Sequence, residues 1–337
     1  MRRPPVPRRK IYDTYWRFAA ERQAIFERRV AGQSWPWTSD RVLQTFKFCN
    51  VFRAADRVSQ YLIREVAHHD EPCSAEDRFF QIVAFRLFSK IGTWDTIREH
   101  LGRHPTLRDL SSGAFTKALD FARLRNGRLY TGAFILCAAN PYGQPSKHLN
   151  HVELLRHMCL TDKLPVAVLR APSLGAVYAL LHQYPLIGDF MAYQVAIDIN
   201  YSDLVDFSEN DFTQPGPGAV RGLRKVFQSL GDYTPAETIC WMVDRQEREF
   251  AQLGLAFNGL WGRPLHAIDC QGLFCETDKY CREVAPELTS ARTRIKARFE
   301  ASTDPVQLFF PPKWGINEKL PREPVFGTGF HSRLSKG

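Results

Sequence analysis

Apolar side chains recur every three or four residues along most of the chain, the spacing of one buried face on an α-helix. Residues 11–30 place Tyr15, Phe18, Ala19, Ile25 and Phe26 on such a stripe, with Arg22 and Arg29 at the same period. The segment GQSWPWTSD breaks it, and Thr38, Ser39 and Asp40 are side chains that cap a helix. Phe48, Val51, Phe52, Ala55, Val58, Leu62 and Val66 then repeat, which predicts a long helix over 41–69. Further helices are expected at 75–91, 94–101, 111–126, 150–160, 172–183, 188–199, 218–229, 235–253 and 283–300. Strand signals are confined to short stretches at 165–170 and 265–270. The pattern predicts an all-α protein, and the length suits two helical lobes around a cleft.

Composition sharpens this picture. Of 337 residues, 44% are apolar and 12% aromatic, ample for a core. No apolar run approaches the roughly 20 residues of a membrane helix. The N-terminus MRRPPVPRRK is basic without an apolar segment behind it, so a cytoplasmic chain without a signal peptide is expected. Lys and Arg number 45 against 36 Asp and Glu, for a net charge of +9. Such a surface suits a polyanion, because each neutralised phosphate releases counterions. Three regions are expected: a basic arm at 1–10, a helical domain at 11–300 and a Pro/Gly/Lys-rich tail at 301–337. Arg2, Arg3, Arg8, Arg9 and Lys10 suit an arm that follows DNA, or a free tail. Cys49, Cys73, Cys137, Cys159 and Cys240 read as small core residues. Cys270, Cys275 and Cys281 cluster, but at spacings that match neither a zinc ribbon nor a knuckle. No metal and no cofactor is expected. Nothing resembles GxxxxGK[S/T], so no P-loop cradles a nucleotide.

The densest chemistry lies at 184–227. Pro185-Leu-Ile-Gly188, followed by Ala192, predicts a turn whose glycine opens a helix and leaves backbone N–H groups for a phosphate. This hairpin resembles that of the helix-hairpin-helix DNA glycosylases, in which an essential aspartate follows a little over twenty residues later. Asp211 stands at that distance from Gly188. Where bifunctional members carry a Schiff-base lysine, this chain has Phe190. The resemblance implies a monofunctional enzyme. Asp211 would stabilise positive charge on the sugar, with Glu209 and Asn210 holding the water or the flipped nucleotide. Gly216, Gly218 and Arg221, with Gly222, Arg224 and Lys225, suit a second helix N-terminus beside DNA.

A second resemblance is more specific. KFCNVFRAADRVSQYLIR (47–64), GDFMAYQVAIDINYSD (188–203) and FCETDKYCR (274–282) stand out, with ENDFTQPGPGAVRGL and RLYTGAFI. Together they resemble the family of α-glutamyl/putrescinyl-thymine synthesis, also described as the 5-hydroxymethyl-dUMP DNA kinase helical domain, over roughly residues 10–300. Its members are associated with hypermodified phage DNA. On the long predicted helix Lys47, Asn50, Arg57, Tyr61 and Arg64 fall on one side, with Arg53 nearby, as groups for phosphate or a modified base. Gln194 and Asp198 share a face, as do Glu276, Lys279 and Tyr280.

The function these resemblances imply is a monofunctional DNA glycosylase that excises a hypermodified pyrimidine, such as α-glucosyl-5-hydroxymethylcytosine, from phage DNA as antiviral defence. The alternative is a transferase that adds an amino acid or amine to pyrophosphorylated 5-hydroxymethyluracil in DNA. A third reading is a non-catalytic reader of modified DNA. The expected partner is double-stranded DNA with modified bases, without membrane or obligate protein partner.

Overall fold

The computed structural model describes residues 2–132, 139–288, 292–301 and 307–321. In chain order it contains α1 (Arg9–Val30), α2 (Arg41–Thr45), α3 (Arg57–Tyr61), α4 (Ala75–Phe88), α5 (Ile91–Leu101), α6 (Leu107–Ser112), α7 (Ala114–Asn126) and α8 (Lys147–Arg156). It continues through α9 (Leu164–Leu169), α10 (Leu174–His182), α11 (Asp189–Asn200), α12 (Pro217–Val226), α13 (Pro235–Val243), α14 (Gln246–Gln252) and α15 (Ala267–Val284). The sheet consists of β1 (Val6–Pro7) antiparallel to β2 (Phe227–Ser229). The protein is therefore mainly helical. Among the described residues no helix is long and apolar enough to cross a membrane.

The chain forms two units. The first comprises Met1–Ala55, Pro215–Leu308 and Ile316–Gly337; the second comprises Asp56–Gln214 and Phe309–Gly315. In the first unit α1 turns Tyr12, Tyr15 and Trp16 inward, each at most 1% exposed. Trp16 meets Phe250 edge-on at 5.1 Å and Tyr12 meets Phe227 at 5.9 Å. Each buried ring contributes about 1.5–3 kcal/mol by leaving water. Helices α12 and α15 lie so close that a Cβ on Gly222 would sit 2.0 Å from the Phe274 carbonyl oxygen. Gly222 is there because nothing larger fits.

The basic N-terminal segment is tied into this unit. Arg3 donates its backbone N–H and its guanidinium to Asp232, at 2.7 and 2.8 Å. Arg2 pairs with Glu237 at 2.8 Å, Arg9 with Asp13 at 3.1 Å, and the Arg8 N–H reaches the Val226 carbonyl.

In the second unit α4 is buried on every side from Phe79 to Phe88, as a central helix must be. Helix α11 is likewise buried from Met191 to Asn200. One Arg and one Asp interrupt these apolar faces. Arg86 grips Asp198 with two parallel bonds, Nη2 to Oδ1 at 3.0 Å and Nε to Oδ2. Phe310 is fully buried, and Lys313 donates to the carbonyls of Ser202 and Val205 at 3.0 and 2.6 Å.

Several expectations need correction. The helix predicted over 41–69 is broken. Phe46 takes an extended conformation (φ −117°, ψ 147°), and Arg53–Ala55 is a 3-10 turn. Beyond α3 the stretch Leu62–Ala67 is a π-helix. The break is held by side chains from far along the chain: Glu276 accepts from the Cys49 N–H at 3.0 Å, and Asp269 from the Arg53 N–H at 2.9 Å. Lys47 and Asn50 therefore share no helical face with Arg57, Tyr61 and Arg64. The strand signal at 165–170 is helix α9, which Pro165 starts in its first turn. That at 265–270 is the start of α15, where His266 and Asp269 form a reciprocal cap. Conversely, the helix expected at 283–300 ends with α15 at Val284, and residues 297–299 are extended beside 45–47. Cys49 is exposed rather than in the core. Cys137, residues 133–135 of the RLYTGAFI window and the tail beyond 321 lie outside the described residues.

Candidate functional site

The predicted site residues divide between the two units. Asn50, Arg53, Gly216, Gly218, Arg221 and Lys279 belong to the first, and α15 is the spine that collects them. Asp269, in its first turn, is buried and accepts from the N–H groups of Arg53 and His266 at 2.9 and 3.1 Å. Burial raises its carboxyl from 3.8 to about 6, against the lowering effect of those bonds. About two and a half turns on, Asp278 is fully buried with three cations on it. Arg221 Nε and Lys225 Nζ stand at 3.1 Å, and Arg282 Nη2 at 2.8 Å. Burial pushes this carboxyl up, but the bonds from Arg282, Lys225 and Arg221 outweigh it and hold it below its usual range.

Helix α12 approaches this corner with its N-terminus uncapped by any side chain, because the capping residue is Gly216 and Pro217 follows. A Cβ on Gly218 would lie 2.7 Å from Cys275 Sγ, so that glycine also serves the close approach to α15. Burial raises the Cys275 thiol to about 12 and the Cys281 thiol to about 11, which keeps both protonated. Among the described residues no three His, Cys, Asp or Glu side chains are grouped to hold a metal.

Beside α15, the loop that replaces the expected helix is braced by its polar side chains. Asn50 accepts from Arg22 Nη2 at 2.6 Å and donates to the Ala55 carbonyl at 2.7 Å. Lys279 Nζ pairs with Glu276 at 2.6 Å and lies 4.5 Å over the Phe48 ring. Tyr280 donates to Asp40.

In the second unit a turn leads from α10 to α11. Leu186 adopts a left-handed φ of 71°, and Gly188 opens α11. Gln194 is buried, as is Asp198 against Arg86. Asn200 clamps the loop that follows, with bonds to the N–H and carbonyl of Phe207, each 2.9 Å. On that loop Glu209 is buried while Asn210 and Asp211 are exposed, and the Asp211 N–H reaches the Ser208 carbonyl at 3.3 Å. Arg57 stands exposed at the start of α3.

Four residues of this picture were not singled out from the sequence: Arg86, Asp269, Asp278 and Arg282. Their signals were there. Arg86 is the one charge inside FFQIVAFRLF, and Asp198 the one charge inside MAYQVAIDIN. A lone charge on an otherwise apolar helix demands a buried partner. Asp278 and Arg282 stand at the i,i+4 spacing of a helical ion pair.

The arrangement in the first unit has a definite electrostatic sense. Three cations face a single carboxylate, so the corner of α12 and α15 keeps a surplus of positive charge. Arg221 reaches the surface from it, with 23% of its side chain exposed. A guanidinium so placed can hold a phosphate oxygen.

Comparison with known proteins bears on the chemistry. Residues 9–290 match the family described as "5-hmdU DNA kinase, helical domain". The chain is also similar to the 5-hmdU DNA kinase of Bacillus phage SP10, with 28% identity over 332 residues, covering 92% of this chain and 52% of that protein. The chain thus spans about half the length of this curated relative. No solved structure matches. These findings overturn the expectation of a hydrolytic N-glycosylase, and with it the excision of a glucosylated cytosine as antiviral defence. Both matches point to kinases of 5-hmdU in DNA, which transfer a group and leave the glycosidic bond alone.

Proposed function

Because the chain belongs to the 5-hmdU DNA kinase helical-domain family, we propose that it recognises DNA carrying 5-hydroxymethyl-deoxyuridine and serves group transfer at the hydroxymethyl group of that base. The observation that carries this reading is the match from residue 9 to 290, which takes in every helix from α1 to α15. The corner of α12 and α15 supports it physically. Arg221, backed by Lys225 and Arg282 around Asp278, offers a fixed cation to a DNA phosphate or to a phosphoryl group on the base.

Two transfers fit this corner. In the first, the hydroxymethyl oxygen attacks the terminal phosphorus of a nucleoside triphosphate, the bond to the diphosphate breaks, and the hydroxyl proton is lost. In the second, an amine attacks the methylene carbon of an already pyrophosphorylated base. The carbon–oxygen bond then breaks, and diphosphate leaves with the electron pair. The specific feature favouring the second is the cationic surplus around Asp278 in a sequence without a GxxxxGK[S/T] loop.

The test is to incubate the purified protein with a duplex bearing one 5-hydroxymethyl-deoxyuridine, with and without ATP, and with the pyrophosphorylated base plus amines. The nucleosides are then digested and weighed by mass spectrometry. A phosphate added, or an amine adduct formed, supports the reading and chooses between the transfers. No product in any arm, with equal affinity for thymine and 5-hydroxymethyluracil duplexes, would sink it.

A further inference from the structure

Beyond the family-matched segment, residues 292–299 read Arg-Thr-Arg-Ile-Lys-Ala-Arg-Phe, a basic residue at every second position. A period of two belongs to extended chain, in which alternate side chains share a face. The backbone is extended where it can be traced in pairing: the Lys47 N–H donates to the Ala297 carbonyl and the Phe299 N–H to the Thr45 carbonyl, each at 3.0 Å. Phe46 and Arg298 are the antiparallel pair between these bonds. One side chain of the opposite face anchors the segment: Ile295 is buried at 8% exposure, while Arg294, Lys296 and Arg298 are exposed, as are Thr293 and Ala297. The segment is anchored at one end by Arg282, which donates to the Arg294 carbonyl at 3.1 Å. At the other end Phe299 stacks on Trp35 at 5.1 Å.

The charges on this segment differ from those of the N-terminal arm. Arg2, Arg3 and Arg9 each have an acidic partner within 3.1 Å. Among the described residues Arg294, Lys296 and Arg298 form no ion pair, and the side-chain contact of Arg298 is with the Phe46 ring, 5.8 Å from its centroid. Three cations without an ion pair among the described residues thus stand at alternate positions of a segment tied down at Arg294, Arg298 and Phe299.

We propose that this row is a contact for the DNA sugar–phosphate backbone. It rests on the reading that the chain works on DNA, and adds a surface that reading did not require. The geometry suits the partner. Side chains two apart on a strand are spaced by about 6.6 Å. Phosphates of one DNA strand advance by roughly 3.4 Å along the axis while also winding around it, so neighbouring phosphates lie farther apart than that rise, at a separation that lets the row match one cation to one phosphate. A row of point charges reads no base. The contact is therefore sequence-independent, and holds DNA whether or not it carries a modified base.

The experiment measures binding of unmodified single-stranded and duplex oligonucleotides by fluorescence anisotropy across a salt series. It compares the full chain with Arg294→Gln/Lys296→Gln/Arg298→Gln and with a control, Arg108→Gln/Lys117→Gln/Arg170→Gln, which removes three exposed cations from the second unit. The row variant is expected to lose at least ten-fold in affinity at low salt. Its slope of log K against log salt should fall by about 2–3, near 0.9 for each phosphate released. The control should keep both. Equal losses in the two variants would reduce the row to bulk charge and overturn the proposal. So would unchanged DNA binding with increased self-association, which would make the row a guard against edge-to-edge pairing. Failure of the unaltered protein to bind any DNA would instead remove the reading of the chain as a DNA-acting protein, a separate result. Circular dichroism of each variant establishes that it is folded.

Discussion

Each unit buries aspartates, and the two units neutralise them differently. In the second unit Asp198 is gripped by the Arg86 guanidinium, with Arg86 and Asp198 at 2% and 0% exposure. Charge is balanced, and the pair joins α4 to α11 without reaching the surface. In the first unit Asp278 is as deeply buried but carries Arg221, Lys225 and Arg282, and the Arg221 side chain emerges at the surface. Asp269, on the same helix, is held by backbone N–H groups. The same side chain thus closes a core in one unit and, in the other, serves as the counter-ion that keeps cations clustered. What separates the two acids is how much charge is left over around each, which burial alone does not tell.

The comparison can be broken most severely at Arg86. Arg86→Met leaves Asp198 buried without its charge partner and should cost about 3–5 kcal/mol, read as a lower urea midpoint. Arg86→Met/Asp198→Leu should recover most of that loss, as expected of a pair whose role is structural. A double variant as unstable as the single one would show that the pair does more than fill and neutralise.

Next in size is pH, where the aspartates of α15 should oppose each other. The folded-state value of Asp269 is raised, from 3.8 to about 6. Its contribution to stability is therefore complete below pH 4 and is lost as pH rises through about 6, on the order of 3 kcal/mol. The folded-state value of Asp278 is lowered, so its contribution is present above pH 4 and is lost as pH falls through the folded value. Unfolding free energies from pH 2 to 7 should show both limbs, and Asp269→Asn should flatten only the upper one. Persistence of the upper limb in that variant would reassign it.

Smaller effects separate packing from function within the first unit. Gly222→Ala drives a methyl group against the Phe274 carbonyl and should cost about 1–3 kcal/mol in thermal unfolding, since α12 must move off α15. Arg221→Gln should barely move the melting temperature. It should weaken DNA binding about three- to ten-fold and lower the salt slope by about 0.9. Unchanged DNA affinity in that variant would mean that the charge surplus is spent inside the protein.

The helical class was legible because buried stripes at 3.6-residue period are a local property. Helix α11 runs from Asp189 to Asn200, within a residue of its expected 188–199. The stretch 41–69 was misread because Phe48, Val51, Phe52 and Ala55 keep helical spacing while the backbone around them is pinned from elsewhere. The pins are Asp269 and Glu276, more than two hundred residues away, and no local pattern announces them. The period-two run of Arg294, Lys296 and Arg298 was open to reading, but its few apolar residues fit a helix equally well. Of the candidate site, the glycines of α12 and the basic Arg221 were visible. The buried acid that organises them was not, because Asp278 inside FCETDKYCR resembles any solvent-facing helix charge.

The pairing of β1 with β2 sets an order in time. Its two strands come from the first and second stretches of the first unit, with residues 56–214 of the second unit made between them. A ribosome adding about 5–20 residues per second needs roughly ten to thirty seconds to cross that interval. Through it α1 is an orphan helix, its Tyr12, Tyr15 and Trp16 face uncovered, and by its end the second unit has all but seven of its residues. Nascent chains stalled once residue 214 has left the ribosome, but before α15 is made, should therefore be protected from protease in the second unit and cut within 1–55.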